Sequence, residues 1–352
     1  MIIKIRLTSF RSIKNQLLEF TPTVTVILGP NASGKTNILE AVSLLSSGKS
    51  FRARIEEEMI NYQKDLARVK GRIKKDGETV DLEAVLTRGT IDVGFRRPER
   101  VARKKLLING LPKRLVDFAG NLKVTLFGPW DIELVTESPP LRRRFLDTVL
   151  SQVDREYRRA SLSYEKGLRQ RNKLLLRIRE EGISPSQLLF WDKLLTKNGN
   201  YLSVRREEFI DFINETSSLN REKFNLEYDK SAISEGRLGE YQKEEIAAAT
   251  TLVGPHRDDF IFRHEERELA RFGSRGEQRM GVLWLKLAEL AFIEEETGER
   301  PTLLLDDIFS ELDHPHREIV MKVADKQQTI ITTTDPHFIE GVRDVAKIRL
   351  EG

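Results

Sequence analysis

The chain has no cysteine among its 352 residues. That absence removes disulfide scaffolds, thiolate zinc sites, iron–sulfur clusters and thiol nucleophiles together. Histidine is also scarce: the five present include no pair spaced four apart, so the helical histidine pattern of zinc hydrolases is missing. No apolar run approaches the roughly 20 residues that span a bilayer, and the opening MIIKIRLTSF interrupts its apolar residues with Lys4 and Arg6 rather than forming a secretory core. The expectation is a cytoplasmic protein with no membrane part. With 39% hydrophobic and 32% charged residues at 40.6 kDa, the chain has enough apolar mass for two or three packed domains.

Net charge is only +4, from 59 basic and 55 acidic residues, but the excess is local. Between Phe95 and Arg114 stand eight basic residues, Arg96, Arg97, Arg100, Arg103, Lys104, Lys105, Lys113 and Arg114, against Glu99 alone. Between Leu141 and Glu180 twelve Lys and Arg face five acids. Each cluster reads +7. A solvated face explains either one, whereas two in a nearly neutral chain point toward a polyanion. Arg103, Lys104 and Lys105, with Arg142, Arg143 and Arg144, are the candidate contacts.

Periodicity divides the chain. Ile3, Ile5 and Leu7 alternate with polar residues as in a strand, and Thr23 to Leu28 is a β-branched run of the buried parallel kind. Ile38, Val42, Leu44 and Leu45 predict a helix up to Gly48, and Val69 to Val85 predicts a hairpin or meander. From Pro139 onward the texture turns to charged, helix-period sequence, with Leu146, Val149, Leu150 and Val153 on one stripe. Strand signals return after Leu252, at Thr302 to Leu305 and Thr329 to Thr333. The predicted organisation is an α/β lobe built from 1–138 and 252–352, interrupted by a helical lobe at 139–251.

The chemistry concentrates at two places. Gly29-Pro30-Asn31-Ala32-Ser33-Gly34-Lys35-Thr36 fulfils the phosphate-loop pattern between a predicted strand and a predicted helix, with Asn37 following. Backbone N–H groups at a helix start cradle phosphates, Lys35 neutralises their charge, and Thr36 offers a hydroxyl to Mg²⁺. Some 270 residues later, the apolar strand ending in Asp306 and Asp307 supplies paired carboxylates. Burying two acids at a strand end is costly without a cation, so Asp306 is assigned to Mg²⁺ and Asp307 to polarising the attacking water. Asp is one methylene shorter than Glu, and slow hydrolysis is the expected consequence.

Ser274-Arg275-Gly276-Glu277-Gln278 allows two compatible readings: a capping box opening an amphipathic helix, and a helix start that docks a γ-phosphate. Further on, Ser310-Glu311-Leu312-Asp313 is followed by a strand that ends near Thr334.

These blocks, together with Ser46-Ser-Gly-Lys-Ser-Phe-Arg52, Phe127-Gly-Pro, Arg142-Arg-Arg-Phe-Leu-Asp147 and Gly254-Pro-His-Arg-Asp-Asp259, resemble the RecF family end to end. The resemblance implies an ABC/SMC-like P-loop ATPase head with a helical insertion lobe. It implies a weak ATPase that dimerises around two ATP molecules, with Ser274, Gly276 and Gln278 of one copy meeting the nucleotide of the other. Asp313 would act at the dimer contact and Thr334 as the γ-phosphate sensor. Partners implied are duplex and gapped DNA, with RecR and RecO, in loading RecA. The sequence departs from the family at Arg275 and Glu277, where Gln is usual, and at Trp130, where an acid is expected; Asp131 is the substitute coupling residue. An ABC-transporter ATPase subunit is the alternative.

Overall fold

The computed structural model describes residues 1–91, 99–216, 218–219, 222–339 and 345–351. Two compact units result: Met1–Asp131 with Ile293–Gly352, and Ile132–Phe292.

The first unit opens with β1 (Ile2–Phe10), β2 (Ile13–Glu19), β3 (Val24–Leu28) and α1 (Lys35–Ser47). There follow β4 (Leu66–Lys75), β5 (Glu78–Thr87), the short pair β6 (Thr90–Ile91) and β7 (Glu99–Arg100), β8 (Lys104–Ile108), β9 (Leu111–Lys113), α2 (Leu115–Phe118) and β10 (Val124–Phe127). An antiparallel sheet runs β2-β1-β4-β5-β8-β9. Its strands alternate buried and exposed residues, as in β4, because only one face is covered. The hairpin turn between β4 and β5 uses Asp76 and Gly77, both at positive φ, the pairing that matches strand twist.

The second unit is more than helices. It holds α3 (Glu133–Thr136), α4 (Pro139–Val153), the two long helices α5 (Arg155–Glu181) and α6 (Leu189–Glu215), then β11 (Phe224–Asp229), α7 (Glu235–Glu240) and α8 (Gln242–Ala248). β12 (Asp259–His264), β13 (Arg267–Glu268), α9 (Leu269–Phe272) and the start of α10 (Arg275–Thr297) complete it. Phe145 packs on Phe209 and Phe260, and Phe209 on Phe292. This unit differs from the sequence division by including 132–138 and 252–292. The reason is pairing: β12 joins β11 over six residues, and its Phe260 and Phe262 belong to this core.

The chain then returns to the first unit with β14 (Thr302–Asp306), α11 (His314–Ala324), β15 (Thr329–Thr333) and β16 (Val345–Arg349). The parallel sheet runs β10-β14-β15-β3-β16, so the N-terminal strand β3 lies between two C-terminal ones. β3, β14 and β15 are buried along their whole length, which is why each reads as an unbroken apolar or β-branched run. α1 lies between the two sheets: Ile38, Val42 and Leu45 share one core with Leu7 and Val69 of the antiparallel sheet and Leu304 and Ile330 of the parallel one. Gly71 permits this closeness, since a Cβ there would lie 2.4 Å from Leu45 Cδ1. Buried Gln328 ties the sheets further, donating to the carbonyls of Ile2 and Thr21 at 2.6 and 2.8 Å and accepting from Ile2 N at 2.7 Å.

Candidate nucleotide site

β3 delivers the chain into Gly29–Gly34, and α1 begins at Lys35. Gly34 sits at φ 94°, where a side chain would be strained, and lets the loop turn sharply into the helix. Lys35 is buried, and its Nζ donates to the carbonyls of Gly29 and Pro30 at 2.7 and 2.9 Å. Burial pushes its pKa down while Asp307 and Asp306 pull it back up.

On the neighbouring strands the acids converge on the same place. Thr36 Oγ1 donates to Asp306 Oδ2 at 2.7 Å, and Thr332 Oγ1 donates to Asp306 Oδ1 at 2.5 Å. Asp306 is thereby held from both sides, by α1 and by β15. Asp307 adopts a left-handed backbone at φ 49°, a conformation Asp tolerates better than most residues. Its N–H donates to the carbonyl and hydroxyl of Thr332 at 3.1 and 3.2 Å. Burial raises the Asp307 pKa, Lys35 opposes that, and the neighbouring Asp306 charge adds to it. The backbone N–H of Thr334 also bonds this carboxylate. Thr334 itself is exposed, whereas Thr332, which the sequence reading passed over, is the buried hydroxyl in the network. In a run of three threonines, register and strand length separate them: Thr332 stands opposite Asp306 inside the sheet, and β15 ends at Thr333.

The site has the chemistry of a nucleotide cradle. Ser33 Oγ is buried and has no hydrogen-bond partner among the described residues, an orphan polar atom inside the loop. Thr36 and Asp306 present oxygen donors of the type a hard cation takes. Among the described residues no group of three or more His, Asp or Glu side chains forms a cage, so Mg²⁺ would rest on these two residues and on phosphate oxygens.

Behind the loop lies a charged cluster that sequence reasoning missed. Glu40, on α1 and fully buried, accepts from Arg11 at 2.9 and 2.7 Å, from Arg52 at 2.8 Å and from Ser50 at 2.5 Å. Arg52 also donates to Asn37 Oδ1, and Asn37 Nδ2 donates to Ser12. Burial acts against the Glu40 charge, but the three donors prevail and its carboxyl titrates below the usual range.

The remaining expected residues scatter. In the second unit Ser274 and Glu277 form the capping box, with Ser274 N donating to Glu277 at 2.6 Å and Glu277 N to Ser274 Oγ at 3.3 Å. Ser274 and Gly276 are exposed, but Gln278 is buried and turned inward. Its amide donates to the carbonyls of Leu269 and Gly273 at 3.2 and 3.3 Å and so braces its own turn. In the first unit Asp313 is exposed and caps α11, accepting from His316 N at 3.2 Å. Asp131 is buried and accepts from Gly128 N at 2.8 Å, bracing the turn in which Trp130 stacks on Phe51.

The basic candidates divide sharply. Arg142 forms a two-point pair with Asp259 at 2.6 and 2.8 Å, which takes up its charge, and half-buried Arg143 donates to the Asp258 carbonyl at 2.7 Å. Arg144 is exposed. Arg103 pairs with Glu57 and Lys104 with Glu56, each at 2.7 Å, while Lys105 points outward. Arg96 and Arg97 lie outside the described residues.

A phosphate loop between a buried parallel strand and its helix, faced by paired acids at the end of β14 two strands away, defines a P-loop nucleotide-binding head, and the family model described as the RecF/RecN/SMC N terminal domain matches residues 1–352. The DNA replication and repair protein RecF of Herpetosiphon aurantiacus is 36% identical over 97% of this chain and 96% of its own length. That of Listeria welshimeri is 36% identical over 95% and 93%. The structure of a recombination mediator protein RecF with ATP, in the RecFOR pathway, superimposes with a TM-score of 0.88 at 32% identity, covering 99% of this chain and 95% of that one. The chain belongs to the RecF family. An Smc head domain from Pyrococcus furiosus, with a TM-score of 0.52 at 16% identity over 99% of this chain and 93% of its own, shares the fold alone.

Proposed function

We propose that this chain is an ATP-gated DNA-binding protein of recombinational repair. ATP binds at Gly29–Asn37, with Lys35 exchanging its two loop carbonyls for phosphate oxygens. Thr36 and Asp306 hold Mg²⁺, which neutralises phosphate charge when bound. Asp307, whose raised pKa makes it a stronger base than an ordinary Asp, accepts a proton from the attacking water. Hydrolysis is slow and serves as a switch rather than as chemistry on DNA.

The reading continues in trans. Two copies close around two ATP molecules, with exposed Ser274 and Gly276 of each at the other's nucleotide and Asp313 at the contact. The closed dimer engages duplex and gapped DNA and, with RecR and RecO, promotes RecA loading at gaps. Relatives described in the RecFOR pathway support these partners. Membership in the RecF family leaves the transporter alternative without support, and among the described residues no helix is long and apolar enough to cross a membrane.

The observation that carries the nucleotide reading is the Thr36–Asp306–Thr332 chain beside Lys35, which joins residues some 270 positions apart into one polar centre. Sedimentation of the chain with and without ATP, alone and on gapped DNA, tests it. ATP-dependent dimerisation that is lost in Lys35→Ala is the expected result; dimerisation that survives this change refutes the composite site.

A further inference from the structure

The exposed face of the antiparallel sheet carries an arrangement that folding alone does not favour. β1 and β4 pair in a register that sets Lys4 directly opposite Arg72 and Arg6 directly opposite Lys70. Like charges at opposed positions repel and weaken a strand pair. Arg68 and Lys74 extend the same row of β4, where every second residue faces solvent. The acids on this face lie to the sides: Asp81 and Glu83 on β5, and Glu19 opposite Lys4 on β2. Arg68 pairs with Glu83 at 3.1 Å, Arg72 with Asp81 at 2.8 Å and Lys70 with Asp81 at 3.3 Å. Six bases thus meet three acids, and among the described residues Arg6 makes no ion pair. The surplus is fixed in a ridge by backbone hydrogen bonds.

We propose that this ridge, centred on Arg6, Lys70 and Arg72, is a contact surface for the phosphodiester backbone of duplex DNA. The proposal rests on the DNA-binding reading above and names a surface for it outside both basic clusters of the sequence. Bases along one strand recur about every 7 Å, from two residues of roughly 3.3–3.4 Å rise each, and a neighbouring row lies about 5 Å away. A polyanion with closely and regularly spaced charges satisfies two such rows at once. The chemistry favours a duplex over a single strand, because no aromatic side chain on these two strands' exposed rows offers a stacking platform for bases. It also favours DNA over an acidic protein, since the rows lack the aromatic or large apolar centre on which protein interfaces rely. Contacts of this kind position a duplex without reading its sequence.

The test uses the full-length chain with ATP and a labelled blunt duplex, with affinity followed by anisotropy across a KCl series. The triple variant Arg6→Gln, Lys70→Gln, Arg72→Gln should bind at least ~10-fold more weakly at low salt, and its log K against log salt should be shallower by about 2–3, at ~0.9 for each phosphate the variant no longer neutralises. Its melting temperature should change little, because the loss of the exposed Arg72–Asp81 and Lys70–Asp81 pairs is offset by the removal of like-charge opposition. An unchanged salt slope with intact ATP-dependent dimerisation overturns the ridge and leaves the nucleotide reading standing. A parent chain that ignores duplex DNA at low salt overturns the DNA reading and the ridge with it.

Discussion

Replacing Glu40 by Ala would remove the carboxylate on which Arg11, Arg52 and Ser50 converge and leave two guanidiniums without their counter-charge beside α1. Breaking a buried ion pair by removing one partner costs about 3–5 kcal/mol. The Arg11 and Arg52 side chains keep 20% and 38% of their exposure, so water reaches the released charges and the cost falls to about 2–3 kcal/mol. For a unit of about 190 residues, where each kcal/mol moves the midpoint by roughly 2–4 °C, the drop is roughly 5–10 °C. Scanning calorimetry of the full chain at neutral pH measures it directly. The sign with pH follows from the depressed carboxyl: its stabilisation is complete above the ordinary Glu range and is lost as pH falls through the lowered value. The parent and Glu40→Ala should therefore converge in strong acid. A variant melting within about 1 °C of the parent at neutral pH would refute the view that this cluster holds the loop helix in place.

Three further changes probe the site and its supports. Asp307→Asn should retain ATP but release phosphate ~10²–10⁴-fold more slowly, and should lose the fall in rate on acidification that a base of raised pKa imposes on the parent; equal phosphate release would reassign the base. Gln278→Leu should lower stability by about 1–3 kcal/mol, because carbonyls of its turn lose their donor; an unchanged melt with loss of the ATP-dependent dimer would restore a nucleotide contact for this residue. His256 is held half-buried between the Tyr164 hydroxyl and the Thr251 carbonyl, and desolvation there holds its pKa down at about 4. The unfolded chain therefore takes up a proton that the folded one refuses, so stability falls as pH drops from above 6.5 toward 4, by about 2 kcal/mol at pH 5. Urea titrations of the parent and His256→Asn at pH 7.5 and 5 should differ by that amount, and parallel losses would exclude His256 as the cause.

What could be read in advance followed from local rules. The loop Gly29–Thr36, the buried runs at β3, β14 and β15 and the capping box at Ser274 are each signalled within ten residues by spacing or periodicity. What escaped depends on partners far along the chain. Arg142 looks like free charge until Asp259, 117 residues later, is folded against it. Lys104 and Lys105 are an instructive middle case. Leu106 is buried, and strand alternation puts Lys104 on its side, against Glu56 and the Gly48 carbonyl, and Lys105 on the other.

The same contrast separates the two kinds of basic surface. Only part of the charge clustered along the sequence is drawn inward, where arginines find acids and carbonyls: Arg142 and Arg143 bond within the second unit, while Arg144, Arg155, Lys166 and Lys173 stay exposed. The charge left outward on the sheet is spread over strands 60 or more residues apart and is assembled only by register. A linear charge count detects the first kind and cannot see the second. For an antiparallel sheet with one solvent face, the informative quantity is the sign of cross-strand neighbours, and in this chain that sign is positive on both sides where β1 meets β4.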